Sequence, residues 1–369
     1  MKLERNDPCW CRSGKKYKKC HLGRADEPRV RKQDALDASR RARKEKTCFH
    51  PYASSDACGA VIGAHSIQRS GGGLAAIASK GHVYGYRSDF SLFEKSGGRV
   101  MPKLVGVNDA STFTGFCDVH DAELFRALEV SPFHATCEQL ALLGFRAICR
   151  DLMAKRSALA LNPFLKNTGD RGLNVARQVL WQRQMLEHEG GNALAISDLE
   201  TAKDRLEAAI VSHDYSDVHA LVCWFDRTPA MLASSPFTPE FDFDGNVLQD
   251  LNDRTITADV LAFSVIGDGN GAGAATFVWT GDRPAVNRFV SSINRIPRDV
   301  LPHRLVQFTL ECFENAFWSP AWWDGLDEAT QTLLIDRMNA QLNWTRPADH
   351  LADDGSRSAS WTITDIVTI

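Results

Sequence analysis

Two groups of cysteines and histidines constrain the fold of this chain more than any other feature. Near the front, Cys9, Cys11, Cys20 and His21 follow the order C-x-C-x8-C-H. Zinc takes four N/S ligands in a tetrahedron, and a structural site closes all four positions. Two close ligand pairs joined by a short loop meet that need, and the loop RSGKKYKK carries Gly14 for a turn. About 24 residues bury too little apolar surface to fold alone, so a bound metal has to supply the folding energy. Residues 1–24 therefore read as a metal module.

The second group lies in residues 47–130. Cys48 and Cys58 flank a short polar loop, with His50 as a spare ligand. GAVIGAHSIQ then reads as a strand reaching His65. Cys117 and His120 form C-x-x-H, and Asp121 and an amphipathic run with Leu124, Phe125 and Leu128 follow at once. That run predicts a helix carrying the ligand pair in its first turn. A knuckle, a hairpin and a ligand-bearing helix together describe a treble-clef zinc fold, with Cys48, Cys58, Cys117 and His120 as ligands.

Of the ten cysteines, six fall before residue 120. Cys137, Cys149, Cys223 and Cys312 sit among apolar residues and read as core. The first twenty residues hold no apolar stretch of the secretory kind, and no run of about 18 uncharged apolar residues occurs, so no transmembrane helix is expected. A cytoplasmic protein without a disulfide framework is the expectation. The 369 residues carry 43 Lys+Arg, 46 Asp+Glu and 44% apolar residues, which excludes a disordered charged chain. The charge is unevenly spread. Residues 1–47 hold 16 basic and 7 acidic side chains, net +9, which leaves 27 against 39, net −12, for the remainder. A basic arm on an acidic body attracts phosphates or acidic protein surfaces, or is simply solvated. Within it, residues 25–46 predict a charged helical linker suited to lie along a phosphate backbone.

RNDPCWCRSGKKYKKCH resembles the SEC-C zinc motif, whose usual form is close to RNDPCPCGSGKKYKKCHG. The resemblance covers residues 5–21, with Trp10 in place of a proline and Arg12 in place of a glycine. It implies zinc and an accessory role. Such modules sit at the ends of the Sec translocation ATPase, where they bind a chaperone or the ribosome, and at the ends of many unrelated bacterial proteins. Trp10 is expected to be an exposed contact residue, and a protein partner for this arm follows from the resemblance.

The second module resembles the HNH, or His-Me finger, endonucleases. Their pattern is C-x2-C, a strand ending in a catalytic histidine, a glycine-containing loop with an asparagine, and C-x2-C-H on a helix. The resemblance puts His65 in the place of the general base, Asn108 in that of the orienting asparagine, and Asp121 in that of the final metal-binding histidine. It implies DNA or RNA as substrate and Mg²⁺ or Mn²⁺ as catalytic ion, beside two structural Zn²⁺. This chain departs from the pattern in its C-x9-C first pair, in Ala64 before the histidine, and in an inserted segment around 70–105. His82 is the other histidine considered as base, and Gln68 and Arg69 are candidate phosphate contacts.

Residues 131–235 predict a helical region. Its apolar positions include Leu140, Leu143, Ala147 and Leu152, and Asp198 is expected to cap a second helix. Arg146, Arg150, Lys155 and Arg156 form a basic face or a solvated one. Residues 236–369 predict a mixed strand and helix domain. The run GDGNGAGA reads as a hairpin turn, because neither a Lys-Ser/Thr pair nor a helix follows it. Phe317, Trp318, Trp322 and Trp323 are expected to pack a core. The chain as a whole reads as α+β: two zinc modules, a helical middle and a mixed C-terminal domain. Two functions fit it, a metal-dependent HNH-like endonuclease and a non-catalytic zinc-stabilised module that binds nucleic acid or protein.

Overall fold

The computed structural model describes residues 4–86, 96–342 and 346–369. It is mixed α and β, and the chain divides into two compact units. One combines residues 1–46 with 152–197, the other residues 47–151 with 198–369.

The larger unit is built on an eight-stranded antiparallel sheet, counted among the described residues. Along the chain its strands are β2 (His82–Gly85), β3 (Lys103–Gly106), β5 (Val218–Phe225), β6 (Met231–Phe237), β7 (Leu261–Gly267), β8 (Gly273–Thr280), β9 (Ala316–Trp318) and β10 (Ile363–Thr368). The order across the sheet is β10-β5-β8-β7-β6-β9-β2-β3. All residues of β8 are buried, as its run GAATFVWT predicts for a strand covered on both faces. The Gly-rich segment between β7 and β8 is the expected hairpin turn. Asp268 accepts hydrogen bonds from the Asn270 and Ala272 amides, while Gly269 and Gly271 take positive φ.

One face of the sheet is covered by helices Pro284–Ile293, Leu301–Cys312 and Glu328–Ala340. Phe308 lies at the centre of this core, its ring 4.9–6.2 Å from those of Phe237, Phe243, Phe263, Phe277, Phe289 and Phe313. Phe317, Trp318 and Trp323 are buried, as expected. The other face meets the helix that begins at Cys137. Gly144 lets it approach closely, since a Cβ there would stand 3.1 Å from Leu206 Cδ1 and 3.5 Å from Ala262 Cβ.

A two-stranded ribbon, β1 (Val61–His65) with β4 (Thr112–Cys117), completes this unit, followed by the short helix α3 (Asp118–Leu124). The segment inserted between β1 and β4 supplies β2 and β3 to the edge of the large sheet. The expected self-contained module 47–130 is thus tied by strand pairing to the C-terminal half.

The smaller unit contains the front of the chain, the linker helix α1 (Lys32–Ala42), and parts of two long helices. These are α5 (Cys137–Thr168) and α6 (Val175–Ser212). Three expectations change here. The second long helix runs unbroken through Gly190 and Gly191, at a cost of about 1 kcal/mol per glycine. Asp198 therefore lies inside it and caps nothing; its Oδ1 accepts from the Ala258 amide at 3.2 Å. The helical stretch ends at Ser212, and the segment expected as helix to 235 holds β5 and the start of β6. Among the described residues no helix is long and apolar enough to cross a membrane.

Candidate metal centres

The first centre forms in a tight knuckle. The Cys9 amide donates to the Lys15 carbonyl, and Arg12 and Gly14 take positive φ at the turn. A short 3-10 turn, Tyr17–Lys19, then presents Cys20 and His21. The ligand atoms of Cys9, Cys11, Cys20 and His21 all lie within 4.8 Å of one another. His21 Nδ1 stands 3.1 Å from Cys9 Sγ, and Cys11 Sγ 3.4 Å from Cys20 Sγ. A tetrahedral site with Zn–S bonds of about 2.3 Å needs ligand separations of this order.

The acidities of these thiols are split. Burial, with Cys11 beside it, pushes Cys9 up to about 12. Burial also opposes ionisation of Cys11, yet hydrogen bonds from Ser13 and Cys20 bring it down to about 7. Three adjacent thiolates are stable together only with a cation among them, so the donor set itself fits Zn²⁺. Trp10 is not the exposed contact residue expected from sequence. It is half-buried, with its ring 4.4 Å from that of His21.

In the second centre Cys48, Cys58, Cys117 and His120 likewise lie within 4.8 Å. Cys48 and Cys58 Sγ stand 3.4 and 3.5 Å from His120 Nδ1. Cys117 ends β4 and is the N-cap of α3, its sulfur facing the His120 amide at 3.4 Å. The Thr47 and Phe49 amides bond to the Thr114 and Gly115 carbonyls, laying the first ligand beside the strand that ends in the third. Gly59 packs against the start of α3: a Cβ there would meet Asp118 Oδ1 at 2.0 Å unless that side chain turned away. His50, the spare ligand, stacks on His120 at 3.9 Å and lies outside the quartet. Among the described residues all ten cysteines are free of disulfides.

His65, the last residue of β1, belongs to neither quartet. It is half-buried, with Nε2 3.2 Å from the Val107 carbonyl oxygen. A carbonyl only accepts, so Nε2 carries the proton and Nδ1 keeps its lone pair. Asp121, in α3, is 15% exposed, and its Oδ1 is buried without a hydrogen-bond partner. Burial raises the pKa of Asp121, while the charges of Arg146 and His65 oppose the rise. Arg146 Nη2 stands 4.0 Å from Asp121 and 2.7 Å from Glu129. Asn108, next to Val107, is exposed, and its side-chain oxygen accepts from Arg69 at 3.2 Å.

The other candidates lie elsewhere. Gln68 is tied to the Leu128 carbonyl and is not a free phosphate contact. His82 is exposed at the start of β2, bonded to the Lys80 carbonyl. Sequence reading missed Arg146, expected on a basic or solvated face but only 1% exposed. Its place inside the apolar run LALLGFRAIC was the available signal.

The model of the SEC-C motif family matches residues 5–23. No curated protein and no solved structure matches the chain.

Proposed function

We propose that this protein is a metal-dependent nucleic-acid hydrolase of the HNH kind, acting in the cytoplasm, with His65 as general base and two structural zinc centres. The observation that supports it is the Val107 carbonyl, which occupies His65 Nε2 and leaves on Nδ1 the lone pair a general base needs. In the reaction His65 Nδ1 takes a proton from water, and the water oxygen forms a bond to phosphorus. The bond to the departing sugar oxygen then breaks, and that oxygen takes a proton from solvent.

Mg²⁺ or Mn²⁺ would supply charge neutralisation at phosphorus and at the departing oxygen. The orphaned Asp121 Oδ1 suits such an ion, which keeps most of its waters and needs few protein ligands. Asn108 and Arg69 flank the loop that carries Val107 and would hold it against the substrate backbone. The net +9 of residues 1–47 would draw nucleic acid toward the protein, and the SEC-C segment would add a protein contact.

A second reading is a non-catalytic zinc-stabilised module that binds nucleic acid or protein. It is favoured by Arg146, whose guanidinium already supplies positive charge 4.0 Å from Asp121. One experiment separates the two. Full-length protein is incubated with single- and double-stranded DNA and RNA in Mg²⁺ or Mn²⁺. Cleavage that falls on the order of 10²–10⁴-fold in His65→Ala, with zinc content unchanged, supports the hydrolase. Undiminished cleavage in that variant rejects His65 as the base. Salt-sensitive binding without cleavage supports the second reading.

A further inference from the structure

We propose that Asp170 is a positioning residue of the first metal centre. It holds His21 in the Nδ1-ligating tautomer and couples metal binding by the knuckle to its seating on the loop between the two long helices. The inference is independent of the hydrolase reading.

The two residues are 149 positions apart in sequence, yet His21 Nε2 lies 2.9 Å from Asp170 Oδ2. An ionised carboxylate only accepts, so the imidazole proton sits on Nε2. Nδ1, 3.1 Å from Cys9 Sγ, then points its lone pair into the Cys/His quartet. A histidine ligand that donates its other nitrogen to a carboxylate is fixed in ring orientation and made more basic toward the metal.

The Asp170 side chain is 0% exposed. Arg24 Nε donates to its Oδ1 at 2.6 Å, and Gln182 Nε2 donates to Oδ2 at 2.7 Å. Every partner of this carboxylate thus comes from the knuckle or from α6. The same junction is stitched at three further points. Arg24 reaches the Asn167 carbonyl, the Gly172 amide donates to the Arg24 carbonyl at 3.1 Å, and Arg171 pairs with Glu27 at 3.2 Å. Gly172 takes φ +68°, and a Cβ there would stand 3.1 Å from the Glu27 carbonyl oxygen, so the loop is shaped to the incoming segment. A bound metal would hold the ring at Nδ1 while Asp170 holds it at Nε2, so losing the ion removes one of its two anchors.

The test uses full-length, zinc-loaded protein titrated with a colorimetric chelator. One of the two zincs is expected to leave on the order of tenfold more readily in Asp170→Asn, and closer to a hundredfold in Asp170→Ala. Long-range nitrogen–proton spectra should show the His21 Nε2 proton strongly downfield in the parent and shifted upfield in Asp170→Asn. A carboxylate that served only to pair with Arg24 would leave that proton unmoved. Unchanged zinc release together with an unmoved proton overturns the proposal. If the variants do not fold, the parent protein decides. Stripping its metal should speed amide exchange at Gly172 and Leu173, and unchanged exchange there overturns the coupling.

Discussion

A single backbone carbonyl decides what His65 is able to do. Without the Val107 oxygen the imidazole would choose its tautomer freely; with it, the lone pair is committed to Nδ1. His65→Ala, the variant that tests the proposed hydrolase, is expected to lose little stability, because the ring is half-buried and makes one hydrogen bond. Near the C-terminus a different pairing sets a pH dependence. Hydrogen bonds from Arg357 hold the Asp353 carboxyl down at about 2, against an ordinary 3.8. A depressed carboxylate adds stability that is present above about pH 4 and is lost as the pH falls toward 2. Asp353→Asn should cost less than about 1 kcal/mol of stability at pH 7, read from the urea midpoint, since the pair is partly exposed. The gap between the two proteins should shrink steadily as the pH falls from about 4 through 2; a gap undiminished at pH 2 would contradict the assignment. The two metal quartets were legible in the sequence because only cysteine and histidine could supply such donors at such spacing. The positions of Arg146 and Asp170 were not. For Arg146 the apolar run around it signalled burial but named no partner, and an aspartate in a GDRG turn gives no sign of a histidine 149 residues earlier.

At the scale of elements, His65 ends β1 as expected, while Cys117, expected in the first turn of the helix, ends β4 and caps α3. Alternation and a ligand pair on a helix are local signals, so they survive reading without a structure. What the inserted segment does was not legible. It adds two strands to the sheet: β2 pairs with β9, more than 200 residues away, with Tyr84 opposite Trp318, and β3 pairs with β2 at the edge. The unbroken α6 is similar: Gly190, Gly191 and Asp198 all signal an end, and burial of Met185, Leu199 and Leu206 along the helix outweighs them. A close approach between the loop after His65 and the β7–β8 turn gives a further prediction. Gly72 has φ +89°, and a Cβ there would stand 2.7 Å from the Gly269 nitrogen. Gly72→Ala is expected to destabilise the larger unit by roughly 1–3 kcal/mol, read from a denaturant midpoint, with zinc content unchanged.

For the whole molecule, the expectation is two tightly held zinc ions per chain by elemental analysis of the purified protein, one for each quartet. A value near one would show that one cluster of thiols is not a metal centre. The chain reaches its two units by alternation: the first segment belongs to one, the next to the other, then back again. Local motifs reveal the start of each segment but not this weaving, which depends on contacts between distant stretches. It also sets a timetable for synthesis. His21 of the knuckle leaves the ribosome 149 residues before Asp170 does, and at about 5–20 residues per second that is roughly 7–30 s. For that interval the nascent thiols stand without their clamp, open to oxidation or to capture by whatever protein meets them first.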